Sequence, residues 1–284
     1  MARNPAAETV RVEGLRVTYG ARVALAVGSL SLQAGQATSL IGPNGSGKST
    51  LLNAIAGLRR PSAGRVSVLG AEPAAVRPRI AYVLQATTTG EHLPVTVREA
   101  VAMGRYAHRG ALRPLTRQDR RVVDQTLERL DLSPLAQRHL RELSGGQRQR
   151  VFVAQGLVQQ ADVLLLDEPL AGLDLASQQT ILATVAEERD RGVTVVTSTH
   201  DLSEAAAADN LVLLATELVA SGPPERVLTA ENLSRAYRGA VLHLDGGTVM
   251  VDDGAHHHHG RGDTHDHGGH EHRADELRPH PPTV

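Results

Sequence analysis

Gly42-Pro43-Asn44-Gly45-Ser46-Gly47-Lys48-Ser49-Thr50 sets three glycines, a lysine and hydroxyl side chains within one short stretch. That combination handles phosphate. The glycines let the backbone wrap closely enough for its N–H groups to face a polyphosphate. Lys48 supplies a mobile positive charge for the β- and γ-phosphates, and the Ser49 hydroxyl a ligand for Mg²⁺. An apolar, β-prone run, Thr38-Ser39-Leu40-Ile41, precedes the stretch, and Leu51–Gly57 after it reads as a helix. Strand, glycine-rich loop and helix is the setting this chemistry requires, because a helix N-terminus adds unpaired donors and partial positive charge. The competing reading is a plain glycine-rich turn.

Further candidates stand at strand ends. Val163-Leu164-Leu165-Leu166 reads as a buried parallel strand and ends in Asp167-Glu168-Pro169. Ligands bind at such strand ends in open α/β sheets. Asp167 suits Mg²⁺, and Glu168 suits orienting and deprotonating an attacking water; a solvated acidic turn is the alternative. Val193–Ser198 reads as another buried strand, and His200 just beyond it is either a γ-phosphate contact or a structural or merely exposed histidine. Leu143-Ser144-Gly145-Gly146-Gln147 opens a helix, as a second anion site or as a plain cap at Ser144. Tyr19 ends a strand-like stretch, where its ring packs or stacks on a nucleotide base.

The elements that must position these residues follow from the hydrophobic pattern. Residues 10–41 alternate like strands, with Gly14, Gly20 and Gly35 as turns. Arg65–Gly70 and Ile80–Leu84 are further short strands, the latter followed by Gln85 and a Thr-rich loop. From Thr96 to Leu143 the period becomes helical. Val97, Val101 and Met103 fit one helix, Gln118–Leu130 a clearer one, and Leu135–Leu140 a weaker one. Ile181–Arg191 is an amphipathic helix. Helices inserted between β-rich stretches predict a helical subdomain carried on a nucleotide-binding core.

The 284-residue chain is 41% hydrophobic, with Phe152, four tyrosines and no tryptophan, so its core rests on Leu, Val, Ile and Ala. A net charge of -1 provides no global field to recruit nucleic acid or anionic lipid. Cysteine is absent, which fits a reducing cytoplasm and excludes disulfides and thiolate metal sites. No apolar run suffices to span a bilayer, and Met1–Val10 lacks the apolar core of a signal peptide. Work at a membrane would require another chain to hold this one there.

Together the motifs resemble those of the ATP-binding subunits of ABC transporters, over roughly residues 10–250. Gly42–Thr50 is similar to the family's phosphate loop, Gln85 to its Q-loop glutamine, and Leu143–Gln147 to its signature. Val163–Pro169 is similar to the Walker B segment, Ala171-Gly172-Leu173-Asp174 to the D-loop, and His200 to the switch histidine. The departures are small: Ala-Gly-Leu-Asp stands where Ser-Ala-Leu-Asp is commoner, and Gln85 sits in a Thr-rich loop.

The resemblance implies an α/β phosphate-loop NTPase core of ABC-ATPase type, with an antiparallel β subdomain and an inserted α-helical subdomain. It implies a head-to-tail dimer of two copies with ATP and Mg²⁺ sandwiched between them. Ser144, Gly145, Gly146 and Gln147 then act on the partner's nucleotide, Asp174 communicates across the dimer, and Tyr19 stacks the adenine. Gln85 senses Mg²⁺, alongside the Ser49 and Asp167 ligands, and relays to the helical block. Catalysis falls to Glu168, His200, Lys48 and Gln85. Permease subunits in the membrane and an extracytoplasmic solute-binding protein are the implied partners, with this chain on the inner face of the cell membrane.

Residues 1–252 read as the ATPase domain, with the helical subdomain at about 91–148, and residues 253–284 as a separate tail. His256, His257, His258 and His259 are followed by His265, His267, His270 and His272 among Gly, Asp and Glu. This is a disordered composition suited to zinc, copper or nickel. The alternative, an expression tag, sits poorly with a run of four histidines and an irregular continuation. The tail, and a resemblance of Met103-Gly104-Arg105-Tyr106 and the segment up to the signature to zinc and manganese importers, predict uptake of a divalent transition metal, zinc before manganese. The alternatives are a siderophore or haem importer, a soluble ABC-type ATPase of repair or translation, and a metal-storage protein that would leave the ATPase motifs idle.

Overall fold

The computed structural model describes residues 8–84, 94–110, 113–237, 241–243 and 249–251. The chain opens as an antiparallel hairpin, β1 (Glu8–Tyr19) and β2 (Arg22–Gln33). Gly14 is no turn, against the sequence expectation: it lies inside β1 at φ 57. There it makes a bulge that lets the strand continue, and the pairing with the later strand β4 shifts register between Glu13 and Arg16. Next come β3 (Ala37–Ile41), α1 (Lys48–Ile55) and β4 (Ala63–Val68), which pairs with β1 to complete a three-stranded antiparallel sheet, β2-β1-β4.

After β5 (Ile80–Val83) the helices α2 (Val97–Met103), α3 (Tyr106–Arg109), α4 (Arg117–Arg129) and α5 (Gly145–Leu157) follow. Then β6 (Val163–Asp167), α6 (Leu175–Asp190), β7 (Thr194–Ser198), α7 (Leu202–Ala206), β8 (Asn210–Leu214) and β9 (Leu218–Gly222) complete a six-stranded sheet of order β5-β6-β7-β3-β8-β9. The strands are parallel except for β9, which runs antiparallel to β8. Two short helices, α8 (Pro224–Val227) and α9 (Ala230–Tyr237), and the antiparallel pair β10 (Val241–His243) and β11 (Val249–Val251) end the described chain.

The sheet explains the unbroken apolar run of β6. Val163 and Leu165 join the core shared with β1, β2 and α1, while Leu164 and Leu166 join the core of the helices on the other face. Both faces are covered, so every position is apolar. In α4, Val122, Val123 and Leu127 are buried, with Leu130 just beyond, as the period predicts.

Three helical expectations are corrected. Residues 135–140 form no helix; short 3-10 turns occupy Ser133–Leu135 and Leu140–Glu142 instead. The carbonyls of Ala136 and Arg138 accept from the N–H groups of Arg98 and Val97, satisfying the head of α2 rather than a helix of their own. Met103 leaves the buried face of α2, which consists of Val97, Ala100 and Val101, and is exposed. The amphipathic helix expected from Ile181 begins earlier, at Leu175. Among the described residues no helix is long and apolar enough to cross a membrane.

Candidate active site

β3, β7 and β6 lie side by side and parallel, so their C-terminal ends share one edge. Leu40 pairs with Ser198, and Ser198 with Asp167. The loop from Gly42 leaves β3 at that edge. Gly42 has φ 143, and a Cβ there would stand 2.0 Å from the carbonyl oxygen of Leu214. Gly47 has φ 102, and a Cβ would come within 2.8 Å of the Leu25 side chain. Among the described residues no side chain caps α1, whose N-cap is Gly47. Its leading N–H groups are therefore available to an anion.

Lys48 is buried beneath the loop, its Nζ donating to the Gly42 carbonyl at 2.6 Å. Ser46 Oγ is buried with no hydrogen-bond partner among the described residues. Tyr19, Arg22, Ala24, residues 44–50 and Glu168 enclose a cavity of about 370 Å³. An uncapped helix start, an orphaned hydroxyl and a lysine facing one cavity fit a nucleotide's phosphates. Ser49 and Asp167 offer Mg²⁺ the hard oxygen ligands it takes.

Ser198 holds both strand-end acids. Its hydroxyl donates to Asp167 Oδ1 at 2.5 Å and accepts from the Glu168 backbone N–H at 3.0 Å. Tyr82 donates to the other oxygen of Asp167 at 3.3 Å, and burial pushes the Tyr82 phenol well above its ordinary range. Glu168 sits at φ 47, a left-handed backbone that costs an L-residue energy and recurs at functional sites. It lines two cavities: the phosphate-loop cavity, and one of about 420 Å³ bounded by His200, Asp201 and Glu204. Chemistry that needs a carboxylate facing a phosphate and an imidazole nearby has both around Glu168.

Sequence reasoning missed Ser198, Glu204 and Arg59. The polar run Thr197-Ser198-Thr199 at the end of β7, after Val195 and Val196, was the available signal for the first. Burial raises the Glu204 carboxyl, which accepts from Thr199 Oγ1 at 2.7 Å. Asp201 is held low, chiefly by the Ser203 hydroxyl, and caps α7. Arg59 lies 4.4 Å over the ring of Tyr19 and is fixed there by the Thr18 carbonyl at 2.8 Å.

Ser144 does cap α5, accepting from the Gln147 N–H at 3.3 Å while Gln147 Oε1 accepts from the Ser144 N–H. Ser144 and Gly145 are nevertheless exposed. Gly146 is buried against Asp174, which in turn caps α6 through the N–H and hydroxyl of Ser177. Gln85 and the tail histidines, His256 to His272, lie outside the described residues. Among the described residues no cluster of His, Asp and Glu has metal-binding geometry.

Backbone donors and a lysine at the head of a helix, facing carboxylates at the end of a nearby parallel strand, are how phosphate-loop nucleoside triphosphatases are built; the fold and site put this chain in that class. The description "ABC transporter" matches residues 25–171, and the chain belongs to the ABC transporter family as an ATP-binding subunit, an ATPase that uses ATP with Mg²⁺.

The chain is 40% identical over 237 residues to the manganese transport system ATP-binding protein MntA of Synechocystis sp., covering 82% of this chain and 91% of that one. It is 39% identical over 248 residues to the chelated iron transport system membrane protein YfeB of Yersinia pestis, covering 85% and 83%. A solved ATP-binding cassette of an ABC transporter in its ADP conformation superposes with a TM-score of 0.71 at 28% identity, covering 82% of this chain and all of that one. The α/β core with an antiparallel β subdomain and helices is thus the family's fold.

Proposed function

We propose that this chain powers uptake of a transition metal, working as a head-to-tail dimer on the inner face of a membrane beneath permease subunits. The observation that carries the catalytic half is the position of Glu168 between the phosphate-loop cavity and the cavity of His200. Lys48 and the N–H groups of residues 44–50 bind the β- and γ-phosphates. Ser49 and Asp167 hold Mg²⁺, which when bound withdraws charge from those phosphates. Glu168 accepts a proton from the attacking water, and His200 holds the γ-phosphate side of the site. Gln85 acts in the same site as Mg²⁺ sensor.

In the dimer, Ser144, Gly145, Gly146 and Gln147 complete the partner's nucleotide site, with Asp174 beside them. The exposure of Ser144 and Gly145 supports this, since among the described residues nothing covers them. ATP then joins two positive sites that repel each other without it. Loss of the γ-phosphate loosens the pair, and that cycle of closure and opening drives the permease. An extracytoplasmic solute-binding protein would supply the cargo.

For the cargo, manganese now stands ahead of zinc, because the relatives are named for manganese and chelated iron transport. The His-rich tail, residues 253–284, is the remaining argument for zinc, as a buffer or a sensor that slows the ATPase. The test has two parts. Glu168→Gln should reduce ATP turnover by at least about 100-fold while the protein retains ATP and elutes as a dimer; normal turnover removes Glu168 as the base. Cells lacking the chain should lose manganese accumulation, and unchanged levels of manganese, iron and zinc alike would end the metal-uptake reading. Removing residues 253–284 should alter the response of turnover to added zinc only if the tail regulates.

A further inference from the structure

A second charged cavity, of about 390 Å³, is not used by the nucleotide chemistry. Arg59, Arg60, Arg65 and Arg77 line it, with Glu72 as its one carboxylate. The whole chain has a net charge of -1, so this concentration of positive charge is local. None of the four arginines has an ion pair among the described residues.

Backbone geometry builds the floor. Gly57, at φ 69 after α1, packs so closely on the 3-10 turn Pro73–Arg79 that an added Cβ would stand 3.0 Å from the Ala74 nitrogen. Gly64, at φ 78, crosses β1 at Gly14, where a Cβ would come within 2.1 Å of the carbonyl oxygen. The negative end of α1 points here, which alone would repel an anion. Arg77 counters it by donating to the Gly57 carbonyl at 2.9 Å.

Arg59 links this cavity to the nucleotide's through one contact. It lines the arginine cavity, yet its guanidinium rests on Tyr19, which lines the phosphate-loop cavity. We infer that the arginine cavity is an anion site for a phosphate group, and that its occupancy changes nucleotide affinity through Arg59 and Tyr19. Guanidinium forks match phosphate oxygens bidentately, and a dianion engages several forks where a monocarboxylate engages one. An anion also relieves repulsion among the unpaired arginines. Drawing Arg59 toward it weakens the cation–π contact that holds the Tyr19 ring. The coupling rests on the reading of Tyr19 as the adenine's stacking partner; the anion site does not.

Inorganic pyrophosphate is titrated calorimetrically into the full chain with the nucleotide site saturated by Mg-ADP, and into Lys48→Ala. Both should show one pyrophosphate site, weakened at least about 10-fold by Arg60→Glu with Arg65→Glu and less by the paired Gln substitutions. Co-sedimentation with phosphatidylglycerol vesicles, against phosphatidylcholine vesicles, forms the second arm. Binding there alone, lost in the Glu double variant, identifies a lipid headgroup as the source of the phosphate. If neither probe distinguishes the chain from the folded double variant, the anion site is overturned. Pyrophosphate should shift ADP affinity by about two- to fivefold more in the wild type than in Arg59→Met, the shift common to both being direct competition at the phosphate loop. An equal shift in wild type and Arg59→Met beside intact pyrophosphate binding overturns the coupling, while Tyr19→Ala tests the adenine contact separately.

Discussion

Gly146 and Asp174, 28 positions apart in the chain, are packed so tightly that a Cβ on the glycine would stand 2.9 Å from Asp174 Oδ2 and 2.8 Å from Ser177 Oγ. The head of α5 and the N-cap of α6 therefore form one unit. Gly146→Ala should push Asp174 off its cap. Losing that cap costs about 1 kcal/mol, a fall in melting temperature of roughly 2–4 °C. Gly145→Ala should leave the melting temperature unchanged, because its Cβ would enter open space. Equal melting curves for the two variants would contradict the packing.

Ser198 should matter to turnover without touching nucleotide. It donates to Asp167 and accepts from the backbone of Glu168, so one hydroxyl orients the candidate Mg²⁺ ligand and the candidate base. Ser198→Ala should lower kcat by roughly 10- to 100-fold, the usual range for losing a group that orients a metal ligand. ATP binding at saturating Mg²⁺ should change little. Turnover measured across a Mg²⁺ series checks this, and wild-type kcat at every concentration would exclude the role.

These two contacts mark the boundary of what was legible in the sequence. The phosphate loop, the apolar strand β6 and the acids at its end could be read because local spacing encodes them: backbone turns need glycine, and a strand covered on both faces needs an apolar residue at each position. The contact of Gly146 with Asp174 could not, since it arises from the packing of two helices. The region after Ser133 failed for a related reason. Its apolar residues suggest a helix, but its carbonyls serve the head of α2. The placement of Arg59 on Tyr19 likewise depends on how the chain leaves α1.

Asp119 ties the helical region together. Its carboxylate is buried, lies 2.9 Å from both Arg105 and Arg109, and caps α4 through Thr116. The Thr116 hydroxyl, ahead of the guanidinium groups, holds it well below the usual carboxylate range. A depressed folded-state pKa stabilises the fold fully above the unfolded value of about 3.9 and loses that contribution as the pH falls below it. Asp119→Ala should cost of order 3 kcal/mol at pH 7, since it leaves two guanidinium groups without their partner. The difference from wild type should shrink on acidification below about pH 4. Denaturant melts at pH 7 and below pH 4 measure it; a gap that stays constant would refute the assignment.

Glu168 combines a costly backbone with a candidate catalytic carboxylate, so stability and turnover should respond to substitution in opposite directions. Its φ of 47 penalises any residue with a Cβ, by roughly 1–2 kcal/mol. Glycine removes that penalty, although the greater freedom of the unfolded chain returns about 0.4–1 kcal/mol of the gain. The N–H that donates to Ser198 is kept in either case. Glu168→Gly should therefore melt about 1–3 °C above wild type, and Glu168→Gln, which keeps the strained backbone, should not. Both variants should have lost ATP turnover. If glycine lowers the melting temperature instead, the side chain of Glu168 stabilises the fold by more than its backbone conformation costs, and the opposition between stability and turnover fails.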